Sequence, residues 1–234
     1  MSHRIIVSFK RIGKHKANRD EEVSLLWRLL REKGDEQHNG KEKNFCWNMD
    51  VSDDPSMYSM VFSSIDTSVT DCLMRESKRL MESGTGIEVV GGSIWTVASV
   101  MPVEDFPYIG ETISLVSTTG MISIRNAWDY RKNKACRRTH FLHDEEGYIG
   151  WVRQARKRLC RRTNKFMGTD YTEDDIVFEK VKQLGVSAVN YKGRNAPVQN
   201  VRVKIRAPKE VLETALYGGL GSSTGSGFGM VTIC

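Results

Sequence analysis

The order of β-prone and helix-prone segments along this 234-residue chain predicts an α+β fold, with two ferredoxin-like (RRM-like, βαββαβ) units in tandem. Three observations predict it: short strand-like runs bounded by turn residues, apolar residues at helical spacing that stop at glycine, and the recurrence of one order in both halves. The expected units span residues 1–103 and 111–234, joined by the proline- and acid-containing segment Pro102–Gly110.

In the first half, Arg4–Phe9 (RIIVSF) is the opening strand. Asn18 stands three residues before Glu21, the spacing of a capping box, so a helix is expected from about Arg19 to Lys33 with Gly34 ending it. Its apolar residues Val23, Leu25, Leu26, Trp27, Leu29 and Leu30 form a broad buried face. Asp35–Lys43 is polar and contains Gly40, so it reads as a loop. Strands at Asn44–Met49 and Ser56–Ser64 follow, separated by the turn residues Ser52, Asp53, Asp54 and Pro55. Val69, Cys72, Leu73, Glu76 and Leu80 then recur at helical spacing up to Gly84, and Ile87–Val100 returns to β character.

The second half repeats the plan with longer insertions. Ile113–Ile124 is a strand, and Asp144–Met167 a long basic helix with an apolar stripe of Ile149, Val152 and Leu159. Ile176–Tyr191 and Val198–Ala207 are β segments, Pro208–Leu216 is a helix with proline in its first turn, and Phe228–Ile233 is the last strand.

Composition narrows the class of function. With 39% apolar residues, 9% aromatic and mixed-sign charge at 27%, the chain is expected to fold rather than remain disordered. No stretch approaches the roughly 20 apolar residues that cross a bilayer, and Met1–Arg11 is too short and charged for a secretory signal, so no membrane partner and a cytoplasmic location are expected. Cys46, Cys72, Cys136, Cys160 and Cys234 are odd in number and never form a C-x-x-C pair; they read as reduced thiols. The net charge of +6 is uneven: Arg125–Lys165 holds thirteen Lys or Arg against four acids, a local +9 that leaves −3 for the rest. Such a field suits a polyanion.

Within that region Arg153, Arg156, Lys157, Arg158, Arg161, Arg162 and Lys165 place seven cations on thirteen residues of one helix. Like charges at that density repel, and a phosphate backbone would neutralise them; a solvated face partnered by Asp144, Glu145 and Glu146 is the alternative. Arg125, Arg131, Lys132, Lys134, Arg137 and Arg138 could extend the track. A-form RNA hides its base edges in a deep, narrow major groove, so the helix would follow phosphates rather than read sequence.

Gly218–Gly229 reads GGLGSSTGSGFG, six glycines and four hydroxyl residues that would let backbone N–H groups approach an anion. It is not a phosphate-binding NTPase loop, because no lysine follows Lys209, and it cannot open a dinucleotide-binding helix, because five residues remain after Gly229. A flexible turn is the other reading.

The run YGGLGSSTGSGFGMV, where a short helix passes through a glycine-rich loop into an apolar strand, resembles the RAMP superfamily of CRISPR-associated proteins. Within it, the similarity is greatest to endoribonucleases that cut CRISPR precursor transcripts inside their repeats. That resemblance implies RNA cleavage without a metal or cofactor. The ribose 2′-OH would attack the adjacent phosphate, giving a 2′,3′-cyclic phosphate and a 5′-OH. It implies a catalytic histidine in the loop after the first helix, here His38, with a nearby lysine, Lys43 or Lys41, before the strand carrying Phe45, Cys46 and Trp47. Where many relatives carry a tyrosine in the first helix, this chain offers Trp27. The glycine loop, at Gly219, Gly221, Ser222, Ser223, Thr224, Gly225, Ser226 and Gly227, would hold the RNA backbone. CRISPR repeat RNA or crRNA is the implied partner, possible company being other effector subunits, for a monomer or homodimer. A non-catalytic RAMP subunit that only holds guide RNA is the alternative. His140 and His143 form an H-x-x-H pair without a third ligand at a recognised spacing, so no metal is expected; His3 and His15 read as exposed.

Overall fold

The computed structural model describes residues 2–13, 17–30, 43–104, 110–121, 123–129, 134–191 and 194–234. In the first half, β1 (Arg4–Ile12), α1 (Arg19–Leu29), β2 (Phe45–Val51), β3 (Met57–Ser64), α2 (Thr67–Ser83), β4 (Ile87–Glu88) and β5 (Ile94–Val103) form an antiparallel sheet ordered β2-β3-β1-β5-β4. In the second, β6 (Thr112–Ser117), a hairpin of β7 (Ile124–Asp129) and β8 (Lys134–Thr139), α3 (Glu145–Met167), β9 (Val177–Tyr191), β10 (Arg194–Arg206), α4 (Lys209–Gly218) and β11 (Val231–Ile233) give a sheet ordered β11-β6-β10-β9. Leaving aside β4 and the hairpin, both sheets run fourth, first, third, second strand. The ferredoxin-like plan is therefore present twice, in tandem.

Each sheet buries one face under its two helices. Phe9, Phe45, Trp47, Phe62 and Trp95 pack beneath Leu25, Leu26 and Leu29 of α1 and Val69, Leu73 and Leu80 of α2. Leu115, Val203 and Ile205 pack beneath Trp151 and Leu159 of α3 and Val211, Leu212 and Ala215 of α4. Burial of a side chain of this size contributes about 1.5–3 kcal/mol, so these two cores outweigh any surface term.

Asn18 caps α1 as expected, its side chain accepting from the N–H groups of Asp20 and Glu21, each at 3.0 Å. The Glu21 carboxylate does not return to the cap. It is buried and takes the guanidinium of Arg11 at 2.9 and 3.1 Å and the Ser93 hydroxyl at 2.7 Å, which ties α1 to β1 and to the start of β5. A buried carboxylate needs such company, since its desolvation is otherwise uncompensated.

Several boundaries differ from expectation. The strand expected over Ile113–Ile124 ends at Ser117; Thr118 and Thr119 turn to donate to Met230 O at 2.9 and 3.4 Å, and Ile124 begins the separate β7–β8 hairpin. The expected strand Ile87–Val100 is split by a turn at Gly91 and Gly92, both at positive φ, and β5 runs through Pro102 to Val103, paired with Arg4. Helix α1 ends at Leu29; Gly34 and the expected loop up to residue 42 lie outside the described residues. On α3, Ile149 is 50% exposed and the buried face runs through Trp151, Ala155, Leu159 and Thr163, because the largest ring fixes which side turns inward. Among the described residues no helix is long and apolar enough to cross a membrane.

Candidate functional site

The two sandwiches meet where α4 and the glycine-rich loop of the second press on β1 and β2 of the first. Arg4, buried at the start of β1, donates from Nη2 to Leu216 O at 3.4 Å and Val231 O at 3.2 Å. Arg162, buried on α3, donates to Gly219 O at 2.8 Å. Both guanidiniums thus serve carbonyls at or beside the C-terminal end of α4, where the helix leaves acceptors unfilled and its dipole is negative. His3 stacks on Tyr217 at 4.5 Å and its Nδ1 lies 2.9 Å from Ser64 O, so it is half-buried at this seam rather than exposed. Cys46 lies there too, fully buried, its thiol pushed up to about 11 by desolvation against the opposing fields of Arg4 and Arg162. It is a packing thiol, not a nucleophile.

The glycine-rich loop is packed rather than flexible. Ser222, Thr224, Gly225 and Gly227 are buried, Gly221 and Ser226 half-buried, and Ser223, in the left-handed region at φ 61°, is exposed. Trp47 on β2 donates its indole N–H to Gly225 O at 3.2 Å. Arg19, the first residue of α1, lies 5.1 Å from the Trp47 ring and 5.5 Å from the Phe228 ring, with Glu22 at 3.0 Å from its guanidinium. Loop and first sandwich are therefore latched together by an aromatic and cationic stack.

Against that latch lies Lys43. A Cβ on Gly225 would come within 2.9 Å of its Cγ, so a side chain there would push the lysine from this position. Its ammonium is 5.3 Å from the Trp27 ring of α1. Burial, and then the charge of Lys165 at the end of α3, lower its pKa from the ordinary lysine value. Three features of the sequence thus converge: the lysine before β2, the glycine-rich loop and the last turn of the basic helix. His38 and Lys41 lie outside the described residues.

The cations of α3 separate by environment. Arg153, Lys157, Arg161 and Lys165 are exposed at every fourth position, a slanting row rising about 6 Å per step whose last charge acts on Lys43. Arg158 is half-buried, whereas Arg156 donates to Glu173 O and pairs with Asp174 at 3.2 Å, and Arg162 is turned inward as described. A molecule meeting the loop in this conformation touches Gly221, Ser223 and Ser226; Gly219, Ser222, Thr224, Gly225 and Gly227 act through packing.

A second cationic surface was not among the sequence candidates. On the open face of the C-terminal sheet, Arg202 stands opposite Lys182 and Lys204 opposite Lys180, all exposed, with Glu179 pairing Lys204 at 2.8 Å and Arg206 at 3.3 Å. The alternation V-R-V-K-I-R at 201–206 carried this signal, since period two sends every cation to one face. Arg4 and Arg162 carried none, because nothing local marks a buried arginine. His140 is buried and its ring packs on Gly150, while His143 is exposed; among the described residues no cluster of three or more His, Cys, Asp or Glu could hold a metal.

Two stacked ferredoxin-like sandwiches, a glycine-rich loop at their seam and a cationic helix leading to it define a RAMP-type protein. Residues 104–233, more than half of the chain, match the family model for CRISPR associated protein Cas6, C-terminal. The chain belongs to the Cas6 family of CRISPR-associated proteins. No curated protein sequence matches it. In the solved structures it is similar to a RAMP protein described as binding different RNA substrates, at 14% identity over 99% of each chain with a TM-score of 0.77. It is also similar to a Cas6-related protein from Pyrococcus furiosus (14%, 100% of this chain and 99% of that one, TM-score 0.74) and to a Cas6 product complex (14%, 100% of each, TM-score 0.72). At these identities the likeness shows the fold.

Proposed function

We propose that the protein binds CRISPR repeat RNA across its two sandwiches, residues 1–103 and 111–234, and cleaves it once by a metal-independent reaction. The observation that carries this is the convergence of Lys43, the glycine-rich loop and the end of the α3 row on one place at the seam. Family membership, and the similarity to a RAMP protein described as binding different RNA substrates, support the substrate.

The chemistry needs three groups. A base takes the proton from the 2′-OH as that oxygen bonds to phosphorus, a cation stabilises the crowded phosphorane, and an acid returns a proton to the departing 5′-oxygen as the P–O5′ bond breaks. His38 takes the part of base or acid and Lys43, or Lys41, that of the cation. Trp27, which has no O–H, keeps the Lys43 ammonium in place through its ring face instead of sharing in proton transfer. The exposed α3 row and the cationic sheet face hold backbone on either side, which fixes register.

The guide-holding alternative shares the fold and the charge, so catalysis decides between them. Labelled repeat RNA incubated with pure protein and EDTA is expected to shorten to a product ending in a cyclic phosphate; RNA that is bound but stays intact would favour the holding role. Binding has its own test. Changing Arg153, Lys157 and Arg161 together to alanine is expected to weaken repeat RNA binding and to reduce the slope of log affinity against log salt by about two to three. An unchanged slope would remove α3 from the interface.

A further inference from the structure

We propose that the phosphate undergoing cleavage is gripped by one lysine from each sandwich, Lys43 and Lys165, so that Lys165 belongs to the cleavage centre and not merely to the backbone track. This rests on the ribonuclease reading above and adds to it a residue from the C-terminal half.

The placement of Lys165 follows from the anchoring of its helix turn. Arg162, three residues earlier, donates to Gly219 O at 2.8 Å, which fixes the last turn of α3 against one end of the glycine-rich loop. The other end of that loop, at Gly225, presses on the side chain of Lys43 and is itself held by the Trp47 indole. Loop, helix end and Lys43 therefore form one body rather than parts that drift. Each ammonium is also steadied by a ring, Lys43 by Trp27 at 5.3 Å and Lys165 by Phe166 at 4.9 Å.

Gly219 links the two: Cys46, three residues after Lys43, packs on it, and its carbonyl accepts from Arg162, three residues before Lys165. The two ammonium charges oppose each other across this short bridge, and with burial as the larger cause they lower the pKa of Lys43. A lysine in the last helical turn also suits the helix dipole, but that role needs no second ammonium nearby. A dianionic phosphorane between the two converts their repulsion into attraction from both sides. The attraction strengthens as charge builds on the phosphoryl oxygens, so its effect falls on the transition state more than on binding.

The test is single-turnover cleavage of the cognate repeat at saturating protein, for the wild type, Lys165→Met and Lys165→Arg, with the RNA dissociation constant measured alongside. Lys165→Met is expected to lower the saturated rate at least about tenfold while changing the dissociation constant no more than about threefold, and Lys165→Arg to recover most of the rate. A saturated rate for Lys165→Met equal to wild type would overturn the proposal, as would a loss confined to affinity. If the wild type itself leaves the repeat intact, the ribonuclease reading fails and the proposal with it; if the wild type cleaves and Lys165→Met cleaves equally well, only the proposal fails. Because Lys165 is exposed, its variants fold, and a thermal melt confirms this.

Discussion

Replacing His38 with alanine is expected to slow single-turnover cleavage of repeat RNA at least about a hundredfold, the usual worth of a positioned acid or base, with binding nearly unchanged. An imidazole exchanges protons near neutrality, which lysine does only when strongly perturbed. The described histidines are engaged or remote. His3 is stacked on Tyr217, His140 is buried against Gly150, and His143 precedes α3 at the end opposite Lys165. His38 lies five residues before Lys43, within about 18 Å of extended chain. An undiminished rate in the alanine variant would move the proton transfer to another group.

Replacing Gly229 with valine is expected to destabilise the protein by about 3 kcal/mol or more, lowering its melting temperature by roughly 6–12 °C. Gly229 sits at φ 75°, which a β-branched residue rarely adopts, and a Cβ there would overlap the carbonyl oxygen of Leu220. The same residue accepts from Leu220 N at 2.8 Å and donates to Gly120 O at 3.2 Å, so the backbone has no room to shift. Ser223→Ala, at the exposed tip, is expected to change stability by no more than about 0.5 kcal/mol. Thermal and urea unfolding check both, and a Gly229→Val protein as stable as wild type would show that the loop is not the rigid key described.

Much of this architecture was legible in the residues. The two βαββαβ runs stand out because helical spacing in Val69–Leu80 and period-two alternation in 201–206 differ plainly, and Gly84 and Gly168 stop α2 and α3 where their left-handed conformations require glycine. The β7–β8 hairpin was not legible, because among the described residues its strands pair only with each other and their sequences, IRNAWD and KACRRT, carry no steady apolar alternation. The glycine-rich loop misleads for a related reason. Its composition suggests mobility, yet the missing side chains are what let Lys43 and Cys46 approach it closely. For the site, the sequence offered Lys43 and Lys165 as separate candidates. Their convergence depends on how the sandwiches dock through Arg4 and Arg162, a long-range event that no local window contains.

The most direct measurement compares two repeat RNAs, one natural and one with a single 2′-deoxyribose at the nucleotide before the scissile phosphate, each incubated with pure protein in EDTA. The natural strand is expected to be cut once to a cyclic phosphate and a 5′-OH, and the deoxy strand to bind as tightly but stay whole. Cleavage of the deoxy strand, or cleavage that returns only when a divalent metal is added, would contradict the proposed mechanism.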